Sequence, residues 1–455
     1  MSARPHPASR VASRSLSAKA SRRASGFGNP LDNWLAEQCG AQGADADSFV
    51  RALREARVRA LTQCLEYAAT RSTFYGHRLA GCDLSSITPE NLHNLPFTTA
   101  QDLARWEDFL CVSRGAVQRM VTLHTSGTTG DPKRLAFTGD DLARTVDFFR
   151  VGMSQLVGAG QKLAVLLPGA VRPDGVADLL RQSLSPQGVE VCSPPPELLA
   201  SADAPQENLV GEGAEALPVA DATPGNVSPA RASGQCSSVL AHPRATSPLD
   251  ARPELAQWLV EVQPHCLVAA PGQLEGLLRY FPKSGPPGLC GLLSSADRLD
   301  PVLSHVLATV WDCTVLDHYG LTETGYGGAV ECAAHDGYHM RQLDMIVEIV
   351  DFCGDEPLPP GEAGEVVITT LGREAMPLIR YRTGDVASIL PGPCACGSPL
   401  PRLGPVRGRL ERCGGRVRVV QMPKGGGNTP ANGNQIGVAA HKGPHCATGG
   451  WGDWM

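Results

Sequence analysis

The chain has 455 residues, and its 40 basic and 46 acidic side chains give a formal net charge of −6. This balance argues against a nucleic-acid-binding protein, which usually carries a basic face. The apolar content of 42% is enough for a large core, but the sequence has no uninterrupted apolar run of about 18 residues, the length that a membrane-spanning helix needs. We therefore expect two or three globular domains, or one large body with a small appendage, and neither nucleic acid nor a membrane as a partner.

The N-terminal residues 1–28 carry six Lys or Arg side chains and no acidic one, in a segment rich in Ser and Ala. This composition is typical of a disordered basic tail, and the alternative is a transit peptide for import into an organelle. The 15 cysteines are an odd number in a long chain, which favours a reducing compartment with mostly buried thiols over a disulfide framework. We predict a cytoplasmic location, with organellar import if residues 1–28 are a transit peptide.

The first predicted helix begins near Ser48, which can cap it. Apolar residues then recur at helical spacing, at Phe49, Leu53, Val58, Leu61 and Leu65. Further along, short apolar runs predict strands at 163–167, 266–270, 289–293 and 314–316, and amphipathic stretches predict helices at 140–156 and 173–184. This alternation predicts an α/β fold with a mainly parallel sheet, helices on both faces, and ligands at the carboxyl ends of the strands.

Three other regions differ from that alternation. Residues 344–350 and 364–371 have the pattern of half-buried strands and predict a smaller β subdomain. Residues 200–252 are rich in Ala, Pro, Ser and Gly without periodicity, so we predict a disordered insertion. Residues 414–455 are also poor in apolar side chains, and we predict that 408–455 hold a hinge remnant and a disordered Gly-rich tail.

Residues 125–133 read Thr-Ser-Gly-Thr-Thr-Gly-Asp-Pro-Lys. Gly127 and Gly130 let the backbone turn tightly and bring its N–H groups close to an anion. Lys133 adds a mobile positive charge, and hydroxyl donors come from Thr125, Ser126, Thr128 and Thr129. The spacing differs from the Gly-x-x-x-x-Gly-Lys-Ser/Thr loop of nucleotide hydrolases. We predict a polyphosphate-binding loop; the alternative is a plain polar turn.

This loop resembles that of the adenylate-forming superfamily, and within it the phenylacetate–CoA ligase-like branch. Further segments are similar to the family in the expected order. They are 65–75 and 95–103 of the N-terminal region, the Tyr-Gly-x-Thr-Glu element at 318–324, the ribose element at 381–385, and Gly408-Arg409 where the hinge element begins. The resemblance implies an AMP-binding domain over 29–407, with mixed and parallel sheets, flanking helices and a small β subdomain, and a C-terminal lid domain that is truncated or missing.

The resemblance and the residue chemistry together assign the adenine side of the site. Tyr319, flanked by His318 and Gly320, offers a flat ring on which an adenine can stack. Backbone groups of three residues after a buried strand would line the other side of the base: Ser295, Ala296 and Asp297.

The phosphate and ribose side is assigned in the same way. Thr322 can donate a hydrogen bond to the α-phosphate, and Glu323 is a hard oxygen ligand for Mg²⁺. Asp385 can accept both ribose hydroxyls, and Arg409 adds a donor there. With Lys133, the residues Thr322 and Glu323 form the implied catalytic set.

The resemblance implies a two-step reaction that uses ATP, Mg²⁺ and coenzyme A. A carboxylate attacks the α-phosphate of ATP to give acyl-AMP and pyrophosphate, and the thiol of CoA then displaces AMP. An aryl acid such as phenylacetate is the family's usual substrate. The implied partners are therefore small molecules, and a homodimer is left open.

Four residues have metal-ligand spacing. Cys332 and His339 follow the Tyr-Gly element, and Cys394 and Cys396 stand on a Pro/Gly turn after the ribose element. Three thiolates and an imidazole suit a tetrahedral, structural Zn²⁺, and some phenylacetate–CoA ligase-like proteins carry a similar set. His335 is the alternative fourth ligand, and ordinary buried thiols without a metal are the other interpretation.

The sequence departs from the family after Arg409, where only 46 residues follow. Lys424 and Lys442 are the lysines of this segment, in Gly-rich surroundings, and we assign the lid's catalytic lysine to neither. The alternative to an acid–CoA ligase is therefore a non-catalytic nucleotide-binding or assembly subunit. A third alternative is an enzyme that adenylates the acid and passes the acyl group to a carrier protein.

Overall fold

The computed structural model describes residues 27–123, 133–167, 173–199, 253–413 and 416–420. The predicted loop residues 125–130, most of the N-terminal segment 1–28, the insertion 200–252 and the tail beyond 420 lie outside these residues. Within the described ranges, no helix combines the length and the apolar character needed to cross a bilayer.

Ten α-helices occur in the described residues. In chain order they are α1 (Pro30–Gln38), α2 (Ala46–Arg71), α3 (Thr73–Arg78), α4 (Trp106–Phe109), α5 (Gly139–Met153), α6 (Val176–Leu184), α7 (Pro196–Leu199), α8 (Pro253–Val262), α9 (Pro271–Leu278) and α10 (Pro301–Trp311).

The described strands number sixteen. They are β1 (Arg119–Leu123), β2 (Lys133–Phe137), β3 (Lys162–Val165), β4 (Glu190–Cys192), β5 (Cys266–Ala269), β6 (Gly291–Ser294), β7 (Thr314–Tyr319), β8 (Ala329–Glu331), β9 (Tyr338–Met340), β10 (Met345–Val350), β11 (Gly364–Thr370), β12 (Tyr381–Ala387), β13 (Ile389–Leu390), β14 (Arg402–Leu403), β15 (Gly408–Cys413) and β16 (Arg416–Val420).

A nine-stranded mixed sheet forms the centre of the molecule, in the order β13-β14-β9-β8-β7-β6-β5-β3-β4. Strands β4, β3, β5, β6 and β7 are parallel to one another, as the alternation of apolar runs and helices predicts. The remaining four are antiparallel additions at one edge. The predicted α/β fold class is therefore confirmed, with a mixed rather than a mainly parallel sheet.

The parallel strands are short apolar runs because helices cover both faces of the sheet. The side chains of Leu267 on β5 and Leu292 on β6 are fully buried. They share one core with Leu180 of α6, Leu259 of α8 and Leu307 of α10. Burial of each leucine contributes about 1.5–3 kcal/mol, so this part of the sheet is a rigid base for residues at its carboxyl edge.

The predicted first helix is α2, and its cap differs from the prediction. The side chain of Asp45 accepts a hydrogen bond from the backbone N–H of Ser48. Asp45 is thus the N-cap and Ser48 lies in the first turn. An aspartate at this position also places a negative charge at the positive end of the helix dipole, which favours it over serine.

A second sheet of five antiparallel strands has the order β10-β11-β12-β15-β16 and contains the two strands predicted for a small β subdomain. Residues 408–413, predicted as a hinge remnant, form strand β15 in this sheet, where Arg409 is the register partner of Asp385 on β12. A short third sheet pairs β1 with β2.

The N-terminal region fixes the start of β12. The hydroxyl of Thr98 donates to the carbonyl of Ile379 over 2.7 Å, and the backbone N–H of Ile379 donates to the hydroxyl of Tyr75 over 2.8 Å. Both side chains are buried. Segments that resemble the family's N-terminal region therefore hold Tyr381, two residues further along, in place.

Candidate functional site

A cavity of about 480 Å³ opens at the carboxyl edge of the parallel strands. Ser295 and Ala296 directly follow β6, and Gly320 directly follows β7; all three line the cavity. Its volume is in the range of about 300–1,000 Å³ that small-molecule sites occupy. This is the edge of the sheet at which the sequence predicts ligand binding.

The polar end of the cavity contains an ion pair between Lys133 and Glu323. The ammonium of Lys133, the first residue of β2, lies 2.5 Å from Oε1 of Glu323. Glu323 stands on a 3-10 turn after β7, and its side chain is only 6% exposed. The hydroxyl of Tyr381 donates to the same oxygen over 2.9 Å, and the guanidinium of Arg373 donates to the backbone carbonyl of Glu323 over 3.0 Å.

The charge state of Glu323 follows from these contacts. Burial by itself raises the pKa of this carboxyl, but the charge of Lys133 and the hydrogen bonds from Lys133 and Tyr381 outweigh it, so the pKa is lowered. Glu323 is therefore an anion in a buried place, balanced by a positive charge from the chain. A buried carboxylate of this kind can also bind a hard divalent cation.

The ribose element forms a second polar group around Asp385. The hydroxyl of Tyr319 donates to Oδ2 of Asp385 over 3.1 Å, and Nε of Arg409 donates to Oδ1 over 2.9 Å. Burial raises the pKa of Asp385, while Arg409 and the hydrogen bonds counteract the shift. Arg409 lines the cavity; the carboxylate behind it orients the guanidinium.

His318 also lines the cavity. Nε2 of His318 lies 2.8 Å from the hydroxyl of Ser295, and burial lowers the pKa of His318 to about 4. The imidazole is therefore neutral. The preceding Asp317 accepts a hydrogen bond from the hydroxyl of Tyr338 over 2.9 Å, and burial raises its pKa to about 7.

The other end of the cavity is apolar. Helix α5 supplies much of its wall, and α6, the strands β5, β6 and β8 and a residue just after the end of β3 supply the rest: Phe148, Phe149, Gly152, Met153, Leu167, Val176, Leu180, Val268, Leu293 and Val330. A Cβ on Gly152 would meet Cγ1 of Val330 at 3.7 Å, so the missing side chain keeps this part of the wall open. Among the described residues that line the cavity, the Lys and Arg side chains and the carboxylates are Lys133, Arg409 and Glu323, which all belong to the predicted nucleotide residues.

The structure brings most of the predicted nucleotide residues to one place. Those that line the cavity are Lys133, Ser295, Ala296, His318, Gly320, Thr322, Glu323 and Arg409. Asp385 and Tyr319 lie directly behind them and are buried. Asp297 is exposed, and its carboxylate accepts a hydrogen bond from the backbone N–H of Arg298 over 2.7 Å.

The predicted phosphate-loop residues Thr125, Ser126, Gly127, Thr128, Thr129 and Gly130 lie outside the described residues. The described residues on either side are informative. Leu123 and Lys133 are register partners in the β1–β2 pair, and both line the cavity. The described residues on both sides of the predicted loop are therefore at the cavity.

The predicted metal ligands converge at the antiparallel edge of the large sheet, on and beside the strands β8, β9, β13 and β14. One ligand atom from each of Cys332, His339, Cys394 and Cys396 lies within 4.8 Å of every other. Sγ of Cys332 is 3.7 Å from Sγ of Cys394, and Sγ of Cys396 is 3.6 Å from Nε2 of His339. A tetrahedral Zn²⁺ with Zn–S bonds of about 2.3 Å places its ligands about 3.8 Å apart, so the four residues fit that ion.

The structure also distinguishes between the two histidines that are candidates for the fourth metal ligand. His339 is buried, and burial, together with the charge of Arg402, lowers its pKa to about 4, which leaves the imidazole neutral and able to bind a metal. His335 is half exposed and its Nδ1 lies 3.5 Å from Oε2 of Glu331. Among the described residues the four-residue group therefore contains His339 and not His335.

The N-terminal residues contact the cysteine turn directly. The side-chain amide of Asn29, the N-cap of α1, lies 3.5 Å from Sγ of Cys396. A Cβ on Gly28 would overlap the carbonyl oxygen of Cys396. The start of the described chain and the cysteine turn thus pack backbone against backbone.

Sequence reasoning missed several residues of the site. Tyr381 belongs to the predicted ribose element, but its hydroxyl binds Glu323 rather than a ribose-side group. Arg373 carries no motif. No motif marks the apolar wall of the cavity, much of which is supplied by α5. Gly327 serves packing, since a Cβ there would lie 2.7 Å from the ring of Phe148.

The chain is similar to known proteins in sequence. A family model described as AMP-binding enzyme matches residues 233–373. Phenylacetate-coenzyme A ligase of Thermus thermophilus is 28% identical over 373 residues, which are 80% of this chain and 71% of the relative. The enzyme of the same name from Escherichia coli is 33% identical over 144 residues, 30% of this chain and 33% of the relative.

A solved structure shares the fold. It is the crystal structure of 2-hydroxyisobutyryl-CoA ligase in an open conformation with 2-HIB-AMP and CoA, with a TM-score of 0.59 and 18% sequence identity. The superposition covers 82% of this chain and 78% of the other.

Proposed function

We propose that the chain is a member of the adenylate-forming superfamily and an AMP-forming acid–CoA ligase, a proposal supported by its similarity to the AMP-binding family model and to phenylacetate-coenzyme A ligases. Its reaction would join a carboxylic acid to ATP, giving acyl-AMP and pyrophosphate, and then transfer the acyl group to the thiol of CoA with release of AMP. The Lys133–Glu323 pair at the polar end of a partly apolar cavity is the observation that carries this proposal.

The first step needs charge neutralisation more than covalent help from the protein. An oxygen of the acid forms a bond to the α-phosphorus while the bond from that phosphorus to the bridging oxygen of pyrophosphate breaks. Lys133, on the mouth of the cavity, is placed to stabilise negative charge on the phosphates, and the hydroxyl of Thr322 can donate to them. Such preorganised donors usually provide the largest catalytic effect in this kind of reaction.

Glu323 is the residue that would hold Mg²⁺, which when bound neutralises phosphate charge. The ammonium of Lys133 contacts Oε1 of this carboxylate in the structure. Since two cations repel each other in one buried place, the ammonium of Lys133 would turn from Glu323 toward the phosphates once that carboxylate holds the ion. The hydrogen bonds from Tyr381 and Arg373 hold Glu323 in place during this exchange.

The adenosine end is proposed at the other polar group. Asp385 and Arg409 would bind the ribose hydroxyls, and His318 and Ser295, linked to each other, would line the base. Tyr319 is buried and its hydroxyl is engaged by Asp385, so contact between its ring and adenine remains a prediction.

The apolar end is proposed to bind the acid. Because the charged residues that line the cavity, Lys133, Glu323 and Arg409, are those assigned to the nucleotide, an uncharged ring or chain is favoured over a second carboxylate, whose burial without a partner is costly. A monocarboxylic acid with an apolar body, including an aryl acid, therefore fits best.

The decisive experiment measures carboxylate-dependent release of pyrophosphate from ATP, with and without CoA, over a panel of acids. We expect release with apolar monocarboxylic acids and thioester formation only when CoA is added. Release with transfer to a carrier protein but not to CoA would change the proposed acceptor. ATP binding without release for any acid would support a non-catalytic subunit instead.

A variant of α5 tests where the acid binds. Gly152→Leu fills the apolar end, and we expect the KM for the acid to rise at least tenfold while the KM for ATP changes little. Gly152→Ala is the matched control, because its Cβ meets Val330 at an ordinary contact distance and also reproduces the gain in helix propensity. Equal effects on both substrates would contradict this assignment.

We further propose a structural Zn²⁺ on Cys332, His339, Cys394 and Cys396. The distances between their ligand atoms support it. The ion would fasten the loop after β8 to the cysteine turn before β14 and, with four protein ligands, would leave no open position for substrate. A cytoplasmic location and a homodimer stay predictions from the sequence.

A further inference from the structure

Arg402 is buried beside the four cysteine and histidine residues. It is the register partner of His339, where β14 pairs with β9. Its side chain is 2% exposed, although arginine is almost always charged and seldom fully buried. Such a placement calls for a negative partner inside the protein.

The described part of the chain gives Arg402 one carboxylate. Nη2 lies 3.2 Å from Oδ2 of Asp336, whose side chain is 53% exposed. The pair is therefore screened by solvent on one side. The other two guanidinium nitrogens, Nε and Nη1, are buried and have no hydrogen-bond partner among the described atoms.

The proposed metal centre has the opposite imbalance. Zn²⁺ with three thiolates and a neutral imidazole has a net charge of −1, and the cluster is mostly buried. A buried net charge without a counter-ion is costly. Arg402 carries +1, and its charge acts on both His339 and Cys394.

We propose that Arg402 is the counter-ion of this Cys₃His zinc centre: a positioning residue whose buried charge balances the thiolates and raises the affinity for the ion. The inference rests on the proposed zinc site. It explains why a guanidinium with two unpaired nitrogens is tolerated in the interior. It also implies that the centre is a four-ligand group plus one arginine.

Two variants of Arg402 separate charge from packing. Arg402→Gln keeps hydrogen-bond donors and removes the charge, and we expect the zinc dissociation constant to rise about 10–100-fold, as for other residues that support metal ligands. Arg402→Lys keeps the charge in a different shape, and its affinity should stay close to that of wild type. The measurement is competition for zinc between the full-length protein and a chromogenic chelator, with circular dichroism to verify folding.

Asp336→Asn is the control. It removes the exposed carboxylate and leaves the charge of Arg402, so zinc affinity should be unchanged or slightly higher. If Arg402 merely needs Asp336 for its packing, this variant would instead weaken zinc binding as much as Arg402→Gln does.

Failure of the counter-ion proposal can be distinguished from failure of the zinc-site proposal. Wild-type protein that purifies without zinc and does not bind added zinc overturns both proposals. Tight zinc binding by wild type and equally tight binding by Arg402→Gln overturns the counter-ion alone. Loss of zinc by the lysine variant also overturns it, because charge would then not be the property that matters, and this test stands even if Arg402→Gln does not fold.

Discussion

Two buried polar groups of this protein, one around Glu323 and one around the four cysteine and histidine residues, balance their charges in different ways. Around Glu323, the chain supplies the positive charge itself through Lys133. Around the four cysteine and histidine residues, three groups can become anionic, and the nearest buried cation, Arg402, is paired with Asp336. The first group is therefore balanced before any ion binds, whereas three thiolates in the second group would be balanced only by a divalent metal together with Arg402.

Substitutions in the two groups should therefore affect different properties of the protein. A change at the Glu323 group should affect catalysis more than folding, since the remaining residues keep their hydrogen bonds. A change at the cysteine group should affect stability first, because a structural ion contributes its binding free energy to the folded state. The following variants test this division, from the largest expected effect to the smallest.

Glu323→Gln should have the largest effect. The variant keeps an acceptor for the hydroxyl of Tyr381 but loses the negative charge that balances Lys133 and would hold Mg²⁺. We expect kcat for pyrophosphate release to fall about 100-fold or more, with little change in thermal stability. The exposed Glu362→Gln is the control, and equal activity of the two variants would remove Glu323 from the catalytic set.

Lys133→Ala should come next. Removing the ammonium takes away one stabilising charge for the phosphates, so we expect kcat/KM for ATP to fall about tenfold to 100-fold. Lys162→Ala is the matched control, because that lysine forms a surface ion pair with Glu190. Steady-state kinetics with varied ATP gives the result; equal values for both lysine variants would contradict the assignment.

The Cys394→Ser/Cys396→Ser variant tests the second group. It should purify without zinc and unfold at a temperature lower by about 5 °C or more, while ATP affinity in the folded protein changes less than in Lys133→Ala. Elemental analysis and thermal unfolding measure both. The exposed Cys290→Ser should keep zinc and stability, and a metal-free wild type of equal stability would refute the site.

Tyr319→Phe should have a smaller effect. It keeps the ring and removes the hydroxyl that donates to Asp385, and one such hydrogen bond to a charged group is worth about 1.5–3 kcal/mol. We expect ATP affinity to fall about tenfold, by direct binding measurement. Tyr319→Ala should weaken it further if the ring contacts adenine, so identical values for the two variants would mean that only the hydroxyl matters.

The smallest effect concerns pH. Burial raises the pKa of Asp317 from 3.8 to about 7 in the folded protein, so its neutral form is favoured by folding. The associated stability is complete below pH 3.8 and is lost as pH rises through about 7. The urea midpoint should therefore decrease from pH 5 to pH 8, and less so in Asp317→Asn. The exposed Asp355→Asn should follow wild type; a midpoint that rises over this range would contradict the shift.

The parallel half of the large sheet could be predicted from the sequence, because its strands are continuous apolar runs between amphipathic helices. The antiparallel edge could not. Strands β13 and β14 have two residues each, and β8 and β9 have three, which is too short for a period-two pattern to show. Those short strands carry or flank the cysteine group.

Residues of the candidate site could be predicted where they belong to a motif, but not where their role depends on tertiary packing. Glu323, Asp385 and the four proposed metal ligands follow from spacing and resemblance. Arg373 and Arg402 belong to no motif, and Tyr381 belongs to the ribose element but contacts Glu323, 58 positions away. Contacts between residues this far apart in sequence leave no local pattern. The apolar wall on α5 has the same origin, because an amphipathic helix does not reveal whether its apolar face meets a core or a cavity.

The contact between Gly28 and the cysteine turn also constrains the order of folding. The hydrogen-bonded pair beside it, Asn29 and Cys396, is separated by 367 positions. Closing so long a segment is entropically unfavourable until the intervening sheet exists. We therefore expect α1 to dock last, so that the first described residues to leave the ribosome are among the final ones to find their place.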